Sequence, residues 1–167
     1  AFGDPVCASL GAALLDAARS VGATVHQGGV YLCIEGPQFS TKGESRLYRQ
    51  WGTSVIGMTN LPEAKLAREA ELCYATVALA TDYDCWHDTE APVTVESILT
   101  TLRQNVTLAK QLLRTAMRAV ADVKVCGCHR ALQDAIITAP DRMPASIRRK
   151  LALLMDRVIL EKKKGAR

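Results

Sequence analysis

The sequence predicts an α/β protein on three observations. Short apolar runs bounded by Gly, Pro or Asn alternate with longer stretches of helical period. Start and stop signals fall at the junctions between them. A chain of 167 residues with 49% apolar and 23% charged content, free of low-complexity blocks, is long enough for one domain with a real core.

The elements follow in order. Ala8 to Ser20 places Leu10, Leu14 and Leu15 on one helical face, and Gly22 supplies a stop. Gly29 to Ile34 reads as a strand, broken by Gly36-Pro37. Ser40 or Thr41 can then cap a short helix through Glu44 to Gln50. Ser54 to Met58 is a second apolar strand. Asn60, three residues before Glu63 and with Pro62 in the first turn, looks like a capping box opening a helix to about Leu72. Tyr74 to Thr81, rich in small and β-branched residues, suits a buried central strand. Thr94 opens a long helix to about Val120, with Ile98, Leu102, Val106, Ala109 and Leu113 on one stripe. A last helix, about Ser146 to Lys162, carries Ile147, Leu151, Leu154, Val158 and Ile159. No repeat or linker interrupts the pattern.

Composition excludes several function classes. No apolar run approaches the roughly 20 residues of a membrane helix. The net charge of +4 is concentrated near the C-terminus, at Arg148, Arg149, Lys150 and Lys162 to Lys164. That reads as a solvated helix face rather than a nucleic-acid patch, because aromatics are not interleaved with it. The N-terminus has no basic, apolar leader pattern, so the expected location is the cytoplasm. The first residue is Ala1, which points to upstream processing or to a piece of a larger chain. Of the six cysteines, Cys7, Cys33, Cys73, Cys85, Cys126 and Cys128, none forms a CxxC pair. His26, His87 and His129 lack zinc-ligand spacing, so a metal site is not expected.

Three strand ends carry chemistry: Ile34-Glu35-Gly36-Pro37-Gln38-Phe39-Ser40, Gly57-Met58-Thr59-Asn60 and Thr81-Asp82-Tyr83-Asp84. In open α/β sheets, ligands bind beyond the carboxyl ends of strands. Singly, each has a plainer role: Phe39 as core, Met58 as gap filler, Thr59 as a cap, the aspartates as turn formers. Together they describe a pocket with an aromatic wall, a soft apolar patch, an anion-friendly helix start and paired acids. At i and i+2 of an extended segment, Asp82 and Asp84 would share a face. One of them, buried beside the other, would have its pKa raised and could donate to a ring nitrogen while its neighbour accepts from an amine. Adenine offers that combination at N7 and the 6-amino group. A 6-oxo purine would call for asparagine.

The same segments, with Trp51-Gly52, Leu61-Pro62-Glu63, Ala67 to Tyr74 and Cys85-Trp86, closely resemble the methylthioadenosine phosphorylases, a branch of the trimeric purine nucleoside phosphorylases. The resemblance runs in register from about Phe2 to Ile136. It implies a nucleoside-phosphorylase fold, a mixed central sheet flanked by helices, of which residues 1–167 form a single domain, the C-terminal portion. It also implies the reaction: phosphate attacks the ribosyl C1' of 5'-methylthioadenosine, releasing adenine and 5-methylthioribose 1-phosphate. Inorganic phosphate is then a co-substrate and no cofactor is needed.

Carried over by position, Phe39 should lie against ribose or base and Met58 against the sugar. Thr59 should hydrogen-bond phosphate or a ribose hydroxyl. Asp82, Tyr83 and Asp84 should face the adenine, with Asp82 protonating or hydrogen-bonding N7. Ser40 stands where the 6-oxopurine branch has glutamate. Val95 and Ile98 should line a slot for the 5'-methylthio group. Some heat-stable relatives link the positions of Cys7 and Cys73, while Cys126 and Cys128 would pair only in a strained ring; six reduced thiols are the default in the cytosol.

Two departures stand out. Gly57 replaces an asparagine found in some relatives. The upstream segments with most of the phosphate ligands have no counterpart before Ala1. This chain alone should therefore be inactive, and a homotrimer or an N-terminal companion segment would complete it. Two alternatives remain open: a phosphorylase with another purine nucleoside preference, and a non-catalytic remnant that binds nucleoside or only assembles.

Overall fold

The computed structural model describes residues 2–87, 95–121 and 126–165, the last four and Val95, Ser97, Ile98 and Pro140 by backbone alone. Helix α1, Ala8–Ser20, starts where Cys7 caps it and ends at Gly22, whose φ of 73° only glycine adopts freely. Ala23 N–H bonds the Ala18 carbonyl at 3.0 Å and Gly22 N–H that of Arg19 at 3.0 Å, a Schellman closure. Strand β1, Val30–Cys33, helix α2, Lys42–Gln50, and strand β2, Thr53–Gly57, form a βαβ unit with the strands parallel. The register pairs Tyr31 with Val55 and Cys33 with Gly57.

Helix α3, Asn60–Glu69, follows immediately. Its N-cap is Thr59 rather than Asn60, and the Thr59 side chain makes no cap hydrogen bond. Asn60 instead turns its amide oxygen to the Tyr74 hydroxyl at 2.7 Å, so a tertiary contact overrides the capping-box pattern. Helix α4, Val95–Ala121, packs on α1 through Ala17 and Ala18 against Leu112 and Ala116, a buried cluster in which three of the four side chains are alanines. The buried face of α4 is thus not the expected stripe. Leu102, Val106 and Leu113 are exposed, because α1 crosses beside Leu112 and Ala116 instead. The C-terminal helix is two pieces, α5, Ala145–Lys150, and α6, Ala152–Gly165, separated where Leu151 leaves helical geometry at ψ 10°. Val158 and Ile159 are buried there, as the periodicity requires, whereas Ile147 of the same expected stripe is exposed.

The expected central strand from Tyr74 to Thr81 does not form among the described residues, where β1 and β2 pair only with each other. Residues 76–83 are exposed. A strand needs a neighbouring ladder, and here two of its carbonyls take partners outside any sheet. Cys7 N–H donates to the Tyr74 carbonyl at 2.7 Å, and the Asn105 side chain to the Ala80 carbonyl at 2.9 Å. The α/β class holds, with a sheet of two strands. No helix among the described residues is long and apolar enough to cross a membrane.

Candidate functional site

The three chemistry-bearing segments leave β1, leave β2 and follow α3, and the structure draws them to one end of the βαβ unit. Gly36 begins the turn after β1 with φ 69°. A Cβ there would meet the Met58 sulfur at 2.6 Å, so the thioether lies directly on the Gly36 backbone and joins the first two segments. The third is tied to the first directly and through α2: the Cys85 thiol donates to the Ser40 carbonyl at 3.3 Å, and Ser45 Oγ, on the helix that follows Ser40, donates to Asp84 Oδ2 at 2.6 Å.

Between these contacts α2 begins with a complete capping box. Glu44 N–H donates to Thr41 Oγ1 at 3.3 Å, and Thr41 N–H to Glu44 Oε2 at 2.7 Å. The Thr41 N–H, then its hydroxyl, hold the Glu44 carboxyl below the usual range. The cap fixes the direction in which the Phe39–Ser40 loop enters the helix. An open concavity of about 290 Å³ lies there, lined by Glu35, Gln38, Phe39, Ser40 and Tyr48 among others. Phe39 is 85% exposed, so it is a free aromatic face and not core.

The acid pair is arranged differently from the expectation. Asp84 has φ 59° and opens a single 3₁₀ turn to Trp86, so the segment is not extended and the i, i+2 argument does not apply. Asp82 Oδ1 accepts the Asp84 N–H at 2.9 Å, and Oδ2 accepts the Thr81 hydroxyl at 2.8 Å. Asp82 is exposed, not buried beside its partner. The turn-forming role and a base-reading role are compatible, because a carboxylate has about four lone-pair sites and two are used. Tyr83 is exposed and stacks edge-on to Trp86, with ring centroids 6.1 Å apart. Thr59 stands at the start of α3, beyond the end of β2. The side chains of Val95 and Ile98 lie outside the described residues.

Sequence reasoning missed two positions. Ser45, 2% exposed, anchors Asp84, and nothing in its sequence context marks it. Tyr31 fills the space in front of Gly57, where its hydroxyl stands in the place of an added Cβ. A phenol from the neighbouring strand thus occupies the volume that an asparagine at 57 would take. Burial, then the charges of Cys33 and Glu63, push the Tyr31 phenol up, so it stays a protonated donor. A second open concavity, about 400 Å³, lies between Arg46, Arg49, Gln50 and Trp86, with the Arg49 guanidinium 3.4 Å from the Trp86 ring centroid. None of the expected site residues lines it.

A βαβ unit with its polar loops gathered beyond the strand ends is the layout of a nucleotide- or nucleoside-type site. Residues 1–118 match the family model of the phosphorylase superfamily. The chain belongs to that superfamily. It is 54% identical over 154 residues to the S-methyl-5'-thioadenosine phosphorylase of Geobacter sulfurreducens, covering 92% of this chain and 54% of the relative. It is 51% identical over 165 residues to that of Koribacter versatilis, covering 99% and 56%. Among solved structures, a methylthioadenosine phosphorylase from an Antarctic soil metagenomic library superposes with a TM-score of 0.87 at 40% identity, over 93% of this chain and 55% of that one. The chain spans about half the length of the relatives it matches.

Proposed function

We propose that this chain carries the purine-facing half of a methylthioadenosine phosphorylase site. The reaction is attack of phosphate on C1' of 5'-methylthioadenosine, cleavage of the C1'–N9 bond and release of adenine with 5-methylthioribose 1-phosphate. The observation that carries this reading is the convergence of the Phe39–Ser40 loop, Met58 and the Asp82–Asp84 turn at one end of the βαβ unit. The relatives' names supply the substrate.

In this reading Phe39 covers the ribose or base, and Met58 contacts the sugar. Tyr83 and Asp84 border the adenine, and Asp82 hydrogen-bonds or protonates N7 as negative charge develops on the leaving base. Ser45 holds Asp84 in place. Thr59, at the start of α3, offers one phosphate or ribose contact. Ser40 in place of a longer acid leaves room for the 6-amino purine, and Val95 and Ile98 select a 5'-methylthio group over a 5'-hydroxyl by about tenfold to two-hundredfold. The remaining phosphate ligands belong to a segment outside this chain, brought in cis or by a companion, and the assembly is a trimer. The product pair places the enzyme in purine and methionine salvage.

The test is product analysis on the full-length protein. Adenine and a pentose 1-phosphate formed in equal amounts from methylthioadenosine, only when inorganic phosphate is present, support the proposal. Adenine with free methylthioribose, independent of phosphate, would mean a hydrolase and contradict it.

A further inference from the structure

We propose that Cys7, Cys73, Cys126 and Cys128 form a tetrathiolate site for a tetrahedral divalent metal ion, with zinc the expected occupant. The sequence argued against a metal because no CxxC pair or histidine spacing is present. The structure gathers ligands that lie far apart in the chain. All four Sγ atoms lie within 4.8 Å of one another, with Cys7 to Cys126 at 3.6 Å and Cys73 to Cys126 at 3.4 Å. Four thiolates around zinc at about 2.3 Å stand about 3.8 Å apart along the edges of the tetrahedron. Disulfide sulfurs would be about 2.05 Å apart. All six cysteines are free, and Cys33 and Cys85 are not part of the cluster.

The scaffold holds the four sulfurs from three directions. Cys7 is buried at the N-terminus of α1, where its sulfur accepts the Leu10 N–H at 3.5 Å. Its own N–H bonds the Tyr74 carbonyl, which sets Cys73 beside it. Cys126 and Cys128 flank Gly127 at the start of a 3₁₀ turn through Arg130. Glu71 fastens that turn: Oε1 accepts the Leu132 N–H at 3.0 Å, and Oε2 pairs with Arg157, which also donates to the His129 carbonyl at 3.2 Å. His129 Nε2 lies 3.7 Å from Cys73 Sγ, where an imidazole N–H can support a metal-bound thiolate. Metal binding releases the thiol protons to solvent and ties α1, the segment after α3 and the CxC turn into one unit. None of the four cysteines is among the proposed purine-facing residues, so the test of this site does not depend on the proposed reaction.

The experiment uses the full-length protein, purified under anaerobic conditions without chelator. About one zinc per chain is expected by elemental analysis. Exchange into cobalt should give the thiolate-to-cobalt charge-transfer band and the strong visible bands of tetrahedral CoS₄. Cys128→Ser should weaken or abolish those bands, while Cys85→Ser should leave them intact. The cobalt spectrum of the unsubstituted protein reads the coordination directly, even if Cys128→Ser fails to fold. Four cysteines paired as disulfides by intact mass would overturn the proposal. So would free thiols that retain no metal and give no such bands.

Discussion

The hydroxyl of Ser45, buried in α2, donates to the carboxylate of Asp84 at 2.6 Å. This bond joins the helix that follows the Phe39–Ser40 loop to the turn that carries both aspartates. Removing it leaves a small void and an acid that water must solvate. Ser45→Ala should cost about 1 kcal/mol in stability, as for a typical single hydrogen bond. It should raise KM for the nucleoside more than it lowers kcat, because Asp84 would be less fixed before binding. Thermal unfolding and steady-state kinetics check both; unchanged KM would show that Asp84 is held by other contacts.

Gly36 and Met58 make the other join. Any side chain at 36 must adopt the left-handed region, costing about 1–2 kcal/mol, and also displace the Met58 sulfur. Gly36→Ala should therefore lower Tm by several degrees and disturb sugar binding. Met58→Ala in the same background should restore part of the lost stability, since it removes the clash but not the strained backbone. Additive losses in the double variant would contradict the direct contact.

Much of this was legible in the sequence wherever local chemistry decides the outcome. The bounds of α1 follow from its leucine spacing and Gly22, and a hydroxyl cap at Ser40 or Thr41 was readable before α2, Thr41 being the one that caps it. The segments after β1 and β2 were readable because turn residues and polar side chains fall where those strands stop. What failed was non-local. Tyr74 to Thr81 has strand composition, but composition cannot say whether a neighbouring strand stands beside it. The Asp82 and Asp84 geometry depends on a left-handed Asp84 that alternation rules do not foresee. The four-cysteine cluster is invisible to spacing rules because its members are separated by up to 121 positions, from Cys7 to Cys128.

The Glu71–Arg157 pair gives a pH prediction. Burial raises the Glu71 pKa, but hydrogen bonds from Arg157 and the Leu132 N–H outweigh it, and the net shift is downward from 4.5. A lowered folded-state pKa contributes stability that is present above the unfolded value and is lost as pH falls through the folded one. Glu71→Gln should therefore lower Tm at neutral pH. The gap between variant and parent should narrow once pH drops below the ordinary carboxylate range. A gap that stays constant into strong acid would show that Glu71 acts by packing rather than by charge.

The central claim is that the Asp82–Asp84 turn reads a 6-amino purine. Its most direct measurement is kcat/KM of the full-length protein for methylthioadenosine against methylthioinosine, repeated for Asp82→Asn. Losing a charge-matched hydrogen bond in the transition state should cost at least tenfold, the equivalent of about 1.4 kcal/mol. The unsubstituted protein should favour methylthioadenosine. Asp82→Asn should lose adenine-nucleoside turnover and shift towards the 6-oxo substrate. Equal kcat/KM for the two nucleosides in the unsubstituted protein, with no shift in the variant, would contradict the account.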